Sequence, residues 1–184
     1  MKLLRSEALP FVTDRLLLRL LHGDDHSVLQ RISSEKKLAG LIPARNRALA
    51  TAAKLARNPN AMAATATSLE LAVTLRCSGK LIGACDLSAT GKTGADVGYM
   101  LSSRHWGYGY GSELAVALTE IGFSLLGLRT LTAFVTVDNE RSRRVLHKAG
   151  FLWQGLARRH SRLAGRWLDC HYLIVRKSQR LRPG

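Results

Sequence analysis

Cysteine is scarce in this chain: Cys77, Cys85 and Cys170 are the only three in 184 residues. The odd count and the lack of a C-x-x-C pair exclude a disulfide framework and the common structural zinc sites. Cys85 and Cys170 fall in apolar runs and read as core thiols. None of the six histidines is spaced for a metal, and no metal is expected. No apolar stretch is long enough to cross a bilayer. The start, MKLLRSEALPFVTDR, has no sustained apolar core of the signal-peptide kind, so a cytoplasmic protein with no membrane contact is expected. Aromatics make up 6% of the chain and do not interleave with cations as a single-strand RNA platform requires. Acidic residues are few as well: 13 face 28 Lys and Arg, for a net charge of +15.

That positive charge is crowded towards the end, from Arg141 to Arg182. A basic field attracts polyanions, whether cofactor phosphates, an acidic protein or RNA; equally, it describes a solvated arginine-rich surface. The length suits one core rather than two. No linker or internal repeat divides the sequence, so a single domain over residues 1–184 is expected, its core at about 11–177.

Alternation of apolar residues predicts strands at Arg15 to Leu21, Leu69 to Leu75, Leu81 to Leu87 and Asp96 to Leu101. A short helix carrying Val28, Leu29 and Ile32 follows the first strand, with an aspartate as its cap. An alanine-rich helix at Leu49 to Ala56 stops before Asn58-Pro59. After residue 101 come a glycine loop, a helix with Leu114, Leu118, Ile121 and Leu125 on one face, a strand at Thr130 to Val137, and another helix. Two strands near Phe151 to Arg159 and Trp167 to Val175, joined by a basic loop, complete an α+β sheet with helices on its faces.

The glycine loop HWGYGYGSE carries Gly107, Gly109 and Gly111 immediately before a helix start at Ser112-Glu113. Glycines let a ligand approach the backbone, and the first amides of a helix have no internal partner, so the junction suits an anion, most naturally a phosphate. A Walker loop is excluded because no lysine follows Gly111. A dinucleotide fingerprint is excluded by glycine spacing, although Asp138 stands where a ribose-binding acid would.

Taken together, VGYMLSSRHWGYGYGSELAVAL and VDNERSRRVLHKAGF resemble the central motifs of the GCN5-related N-acetyltransferase (GNAT) superfamily, in its ribosomal-protein (RimJ/RimL-type) branch. Thr13 to Arg19 is similar to the T-x-R-L-x-L-R of that branch, Gly79 to Gly83 to its G-x-L-I-G, Gly98 to Leu101 to its G-Y-x-L, and Gly165 to Asp169 to its G-R-W-x-D. The resemblance implies a mostly antiparallel twisted sheet of about seven strands with one splayed pair and helices on both faces. It implies acetyl-coenzyme A as co-substrate, its pyrophosphate held by Gly107, Tyr108, Gly109, Tyr110, Gly111 and Ser112. The backbone of Met100, Leu101 and Ser102 would pair with the pantetheine arm, and Asn139 would hold that arm from the other side. The basic or amide residue usual between the first two glycines is Tyr108 here, which leaves phosphate charge to the backbone and Arg104.

The same resemblance places Leu146 where some members carry a tyrosine general acid, so Ser142 becomes the candidate acid; its other reading is a small residue for close helix packing. Asp96, just before the G-Y, and Glu70, on the strand that faces substrate in relatives, are the candidate bases; each also reads as a surface strand residue. The acceptor implied is a primary amine. The leading one is the N-terminal α-amine of a ribosomal protein, with ribosome association through the basic surface, and an aminoglycoside or polyamine is the alternative. A non-catalytic ribosome- or RNA-binding module on the same fold is a further reading. The resemblance is compatible with a monomer or a homodimer.

Overall fold

The structure is a computed structural model and describes residues 9–38, 41, 47–57, 65, 67–163 and 166–180. Its frame is one eight-stranded sheet in the order β1-β2-β3-β4-β5-β6-β8-β7. The strands are β1 Phe11–Val12, β2 Leu16–Leu20, β3 Ser68–Leu75, β4 Leu81–Ala89, β5 Gly94–Leu101, β6 Thr130–Thr136, β7 Leu152–Leu163 and β8 Arg166–Arg176. The short β1 brings the described count to one more than the resemblance implies. Every pairing is antiparallel except β5 with β6, which is parallel and short.

That short pairing organises the molecule. Gly94, Ala95 and Asp96 register with Thr130, Leu131 and Thr132, and there the ladder stops. Among the described residues, β5 runs on to Leu101 paired only with β4, and β6 runs on to Thr136 paired only with β8, so the two strands part as a wedge. Strands that end a ladder early leave backbone groups in need of partners, which a ligand can supply.

The helices α1 Asp25–Ser33 and α2 Arg47–Arg57 lie on one face, where Leu29, Ile32 and Leu55 bury Ala72, Ala84 and Met100. The helices α3 Tyr110–Glu120 and α4 Glu140–Lys148 belong to the other face, whose core joins Leu114 and Leu118 to Leu71, Leu87, Leu131 and Leu173. A four-residue helix, α5 Lys177–Arg180, follows β8. Cover on both faces leaves Leu69 to Thr74 of β3 all buried, Glu70 and Thr74 included, although the strand's residues alternate apolar and polar.

Several local expectations are corrected. Asp24 is the N-cap of α1 but makes no side-chain cap bond; Asp25 instead takes the His22 amide at 2.9 Å and the Arg19 guanidinium at 2.8 Å. Leu125 leaves the apolar row because α3 runs into a π-helical turn, Ile121–Leu125, which rotates it outwards to 38% exposure. Asp96 is the third residue of β5 rather than its first. The basic run Arg158-Arg159-His160-Ser161-Arg162 is not a loop: it lies inside β7, where the register slips between Ala157 and Ser161. Arg159 there has φ 49°, with its amide held by Asp169 Oδ1 at 2.8 Å.

Candidate active site

The wedge between β5 and β6 opens into a cleft of about 330 Å³. Of the sequence candidates, Met100, Leu101, Gly107, Gly109, Tyr110, Gly111, Ser112, Asn139 and Ser142 line it together. Leu38 and Met100 come from the cluster under α1 and α2, whereas Tyr99, Ser142 and Val145 come from the other face, so the cleft passes through the plane of the sheet.

The glycine loop forms one rim. Gly107 and Gly109 have φ of 91° and 84°, a region that side chains disfavour, and Gly109 is the N-cap of α3. Arg15 fixes the loop from β2's leading edge: its Nη1 donates to the Tyr108 carbonyl at 2.8 Å, and its Nε to Glu113 at 2.7 Å. Thr13 Oγ1 also donates to Glu113, at 2.6 Å. Desolvation pushes the Glu113 carboxyl up, but these hydrogen bonds outweigh it and leave it below the usual range. The Thr13–Arg15 motif therefore serves the loop. The tyrosine ring of Tyr108 is 66% exposed and does not line the cleft.

The end of β5 forms the floor. Trp106 Nε1 donates to the Leu101 carbonyl at 2.9 Å, and the Ser102 amide donates to Ile82 at 2.8 Å. Ser102 Oγ donates to Glu35 at 2.7 Å, and Ser102 does not line the cleft. Both groups are thus engaged within the protein, while Tyr99, Met100 and Leu101 stand on the cleft wall.

The N-terminal half of α4 forms the opposite wall. Asn139 caps it, Oδ1 accepting from the Ser142 amide at 3.1 Å. Ser142 Oγ lies 2.7 Å from the Tyr99 hydroxyl, and burial pushes the Tyr99 phenol up to about 12. Arg141, Arg144, Val145 and Lys148 also face the cleft, and Arg141 lies over the Trp106 ring at 4.8 Å, joining the two walls. Their i, i+3, i+4, i+7 spacing is a helix face legible in the sequence, and it supplies the cations that Tyr108 does not. His105, on the cleft wall, has a buried Nδ1 with no hydrogen-bond partner among the described residues, and burial holds its imidazole below the usual range.

Glu70 and Asp96 lie outside this lining. Register puts Glu70 opposite Asp86 and Asp86 opposite Gly98, while Ser88 stands opposite Asp96. The three carboxylates therefore share one sheet face, the one carrying Met100. Asp86 is the member the sequence reading missed, and only strand register brings it into the row. Among the described residues, no three His, Cys, Asp or Glu side chains gather as a metal site. No described helix is long and apolar enough to cross a membrane.

A coenzyme A arm fits these walls on chemical grounds. The wedge offers strand edge beyond the β5–β6 ladder, the loop offers helix-start amides, α4 offers three cations, and a buried imidazole nitrogen has no partner among the described residues.

The family comparisons agree with the geometry. The acetyltransferase (GNAT) domain model matches residues 15–152. The chain is 29% identical over 168 residues to an uncharacterised N-acetyltransferase, YoaA, of Bacillus subtilis, covering 89% of this chain and 95% of that one. Its fold matches Mycobacterium smegmatis RimJ in complex with CoA-disulfide at a TM-score of 0.77 and 19% identity, over 95% of this chain and 91% of that one. It also matches a mutant of the spermidine N-acetyltransferase SpeG from Vibrio cholerae at 0.74 and 18% identity, over 92% and 98%. Wedge, glycine loop and sequence match converge on one conclusion: this chain belongs to the GNAT acetyltransferase family and is an N-acetyltransferase.

Proposed function

We propose that this enzyme uses acetyl-coenzyme A to acetylate the N-terminal α-amine of a protein, with a ribosomal protein as the leading class. The observation that carries the reading is the cleft itself, a parted strand pair with an amide-lined loop on one rim and cations on α4 opposite. Gly107, Gly109, Tyr110, Gly111 and Ser112 hold the pyrophosphate, helped by Arg141, Arg144 and Lys148. Tyr99, Met100 and Asn139 flank the pantetheine arm.

The amine must lose a proton before it attacks. An α-amine has an ordinary pKa near 8, against about 10.4 for a lysine, so a carboxylate neutralises it at far smaller cost. Glu70, Asp86 and Asp96 are the candidates, acting directly or through water, and their shared face adjoins the cleft floor at Met100. Attack places negative charge on the thioester oxygen, which backbone amides stabilise. Ser142, on the cleft wall, gives a proton to the departing sulfur.

A protein acceptor is favoured by the cationic β7–β8 hairpin. Arg158, Arg159, His160 and Arg166 are all exposed there and would repel a polycation while attracting an acidic surface or RNA. A polyamine is the second reading, favoured by the row of three carboxylates. Release of free thiol from acetyl-coenzyme A, measured with N-terminal peptides, polyamines and aminoglycosides at two salt concentrations, separates them. Peptide turnover that weakens with salt supports the first reading. Salt-insensitive turnover of a polyamine without peptide turnover rejects it.

A further inference from the structure

The family position for a tyrosine acid is Leu146, and here it is closed: Leu146 is 1% exposed, within the core, and does not line the cleft. The cleft nevertheless holds a tyrosine hydroxyl from a different element. Tyr99, on β5, crosses to α4 and meets Ser142 Oγ at 2.7 Å, and both residues line the wall. Neither side chain has a reason to meet from sequence alone, being 43 residues apart.

We propose that Tyr99 is a positioning residue for departure of the thiol: it donates to Ser142 Oγ and so turns the Ser142 hydrogen into the cleft, towards the cofactor sulfur. The inference rests on Ser142 as the acid in the function proposed above. The direction of the bond follows from acidity. A phenol is the stronger acid and the alcohol oxygen the better acceptor, so the phenol donates. The Ser142 amide is tied to Asn139, which fixes the serine backbone, leaving the hydroxyl rotor as the freedom that Tyr99 removes.

Tyr99 does not itself give up the proton. Its hydrogen is committed to Ser142 Oγ, and burial pushes the phenol up to about 12, so the hydrogen left facing the cleft is the serine's. The proton balance closes without it. When the carbon–sulfur bond of the tetrahedral intermediate breaks, the sulfur takes the Ser142 hydroxyl proton. In the same step Ser142 Oγ takes the surplus proton from the newly bonded nitrogen, so no alkoxide forms. Amide and free thiol leave, and Ser142 and Tyr99 end as they began.

The test compares Tyr99→Phe, Ser142→Ala and the double variant by turnover, acetyl-coenzyme A affinity and solvent deuterium isotope effect. Slow hydrolysis of acetyl-coenzyme A, with water as acceptor, is measured beside amine transfer. It needs the same thiol departure and reads Tyr99 even if the assigned acceptor is wrong. The expectation is a loss of about tenfold in kcat for Tyr99→Phe, cofactor affinity within about twofold, and a changed isotope effect. In the Ser142→Ala background the Tyr99 change should add nothing. Equal effects of Tyr99→Phe in both backgrounds, or a loss of affinity matching the loss of turnover, overturns the proposal. If Tyr99→Phe does not fold, Ser142→Thr decides: it keeps a hydroxyl at the position, and activity no better than that of Ser142→Ala overturns the proposal.

Discussion

Arg15 holds the Tyr108 carbonyl at 2.8 Å while its other guanidinium nitrogens grip Glu113 at 2.7 Å. One side chain thus ties the start of the first long strand to both ends of the glycine turn. The Gly109 position is close beneath it, since a Cβ there would lie 3.2 Å from Arg15 Nη2. The fork geometry of arginine, rather than its charge alone, fits two acceptors in different directions.

Arg15→Ala should therefore weaken acetyl-coenzyme A binding by about tenfold, and Arg15→Lys should recover little of it. The cost to the free fold should be no more than about 1 kcal/mol, because the guanidinium is 48% exposed and screened. Thermal melts with and without the cofactor read both quantities. A large fall in the unliganded melting temperature with ligand stabilisation intact would place Arg15 in the fold and not in the loop.

The same pair sets an acid limit. Glu113 has a folded pKa below its unfolded value of 4.5, so its stabilisation is fully present above about 4.5 and is lost as pH falls through the lowered folded pKa. Melting temperatures of the parent and Glu113→Gln should differ by a constant amount from pH 7 to pH 5 and converge below about 4.5. A difference that persists unchanged at the lowest pH would mean that the carboxylate charge contributes nothing.

Much of this was legible in the chain. The glycine loop, the helix start after it and the strand before it follow from spacing and turn chemistry. What stayed hidden depended on register and on partners remote in sequence. Asp86 joins Glu70 only because β3 and β4 pair at that offset. Tyr99 meets Ser142 only because β5 parts from β6 and α4 settles over the gap. The basic residues 158–162 carried no turn signal of their own; they extend β7 through a slipped register that one-dimensional alternation cannot show.

The cations on α4 should act on the cofactor and not on the chemistry. Arg141→Ala, Arg144→Ala and Lys148→Ala should each raise KM for acetyl-coenzyme A by about threefold to tenfold with kcat nearly unchanged. Each loss should also flatten the salt dependence of KM, since one screened attraction is gone. Initial rates across a salt series read this. A fall in kcat alone from any of them would move that residue to the reacting end of the cleft.

Gly98 offers a probe of the carboxylate face that removes none of its acids. A Cβ at Gly98 would lie 2.5 Å from Asp86 Oδ1, so Gly98→Ala must displace that carboxylate. The substitution should raise KM for the amine by about tenfold and leave cofactor affinity within about twofold. Asp86→Asn should act in the same sense. Unchanged amine kinetics in both variants would remove this face from the acceptor site.

Leu146 gives the sharpest contrast with relatives that carry a tyrosine there. Its side chain is 1% exposed and packed in the same core as Leu114 and Phe151. Adding a ring and a hydroxyl at that position overfills a closed site and buries a polar atom, and such insertions cost about 1–3 kcal/mol. Leu146→Tyr should lower the melting temperature and should not restore turnover to Ser142→Ala, because the new hydroxyl points into packed side chains and not into the cleft. Leu146→Met, close in volume, should cost less than about 1.5 kcal/mol and leave turnover unchanged. The comparison needs only melts and initial rates on the parent, the three single variants and the Leu146→Tyr/Ser142→Ala double variant. A stable Leu146→Tyr protein that rescues the serine variant would show that the cleft reaches this residue after all, and that the acid of this enzyme has not moved.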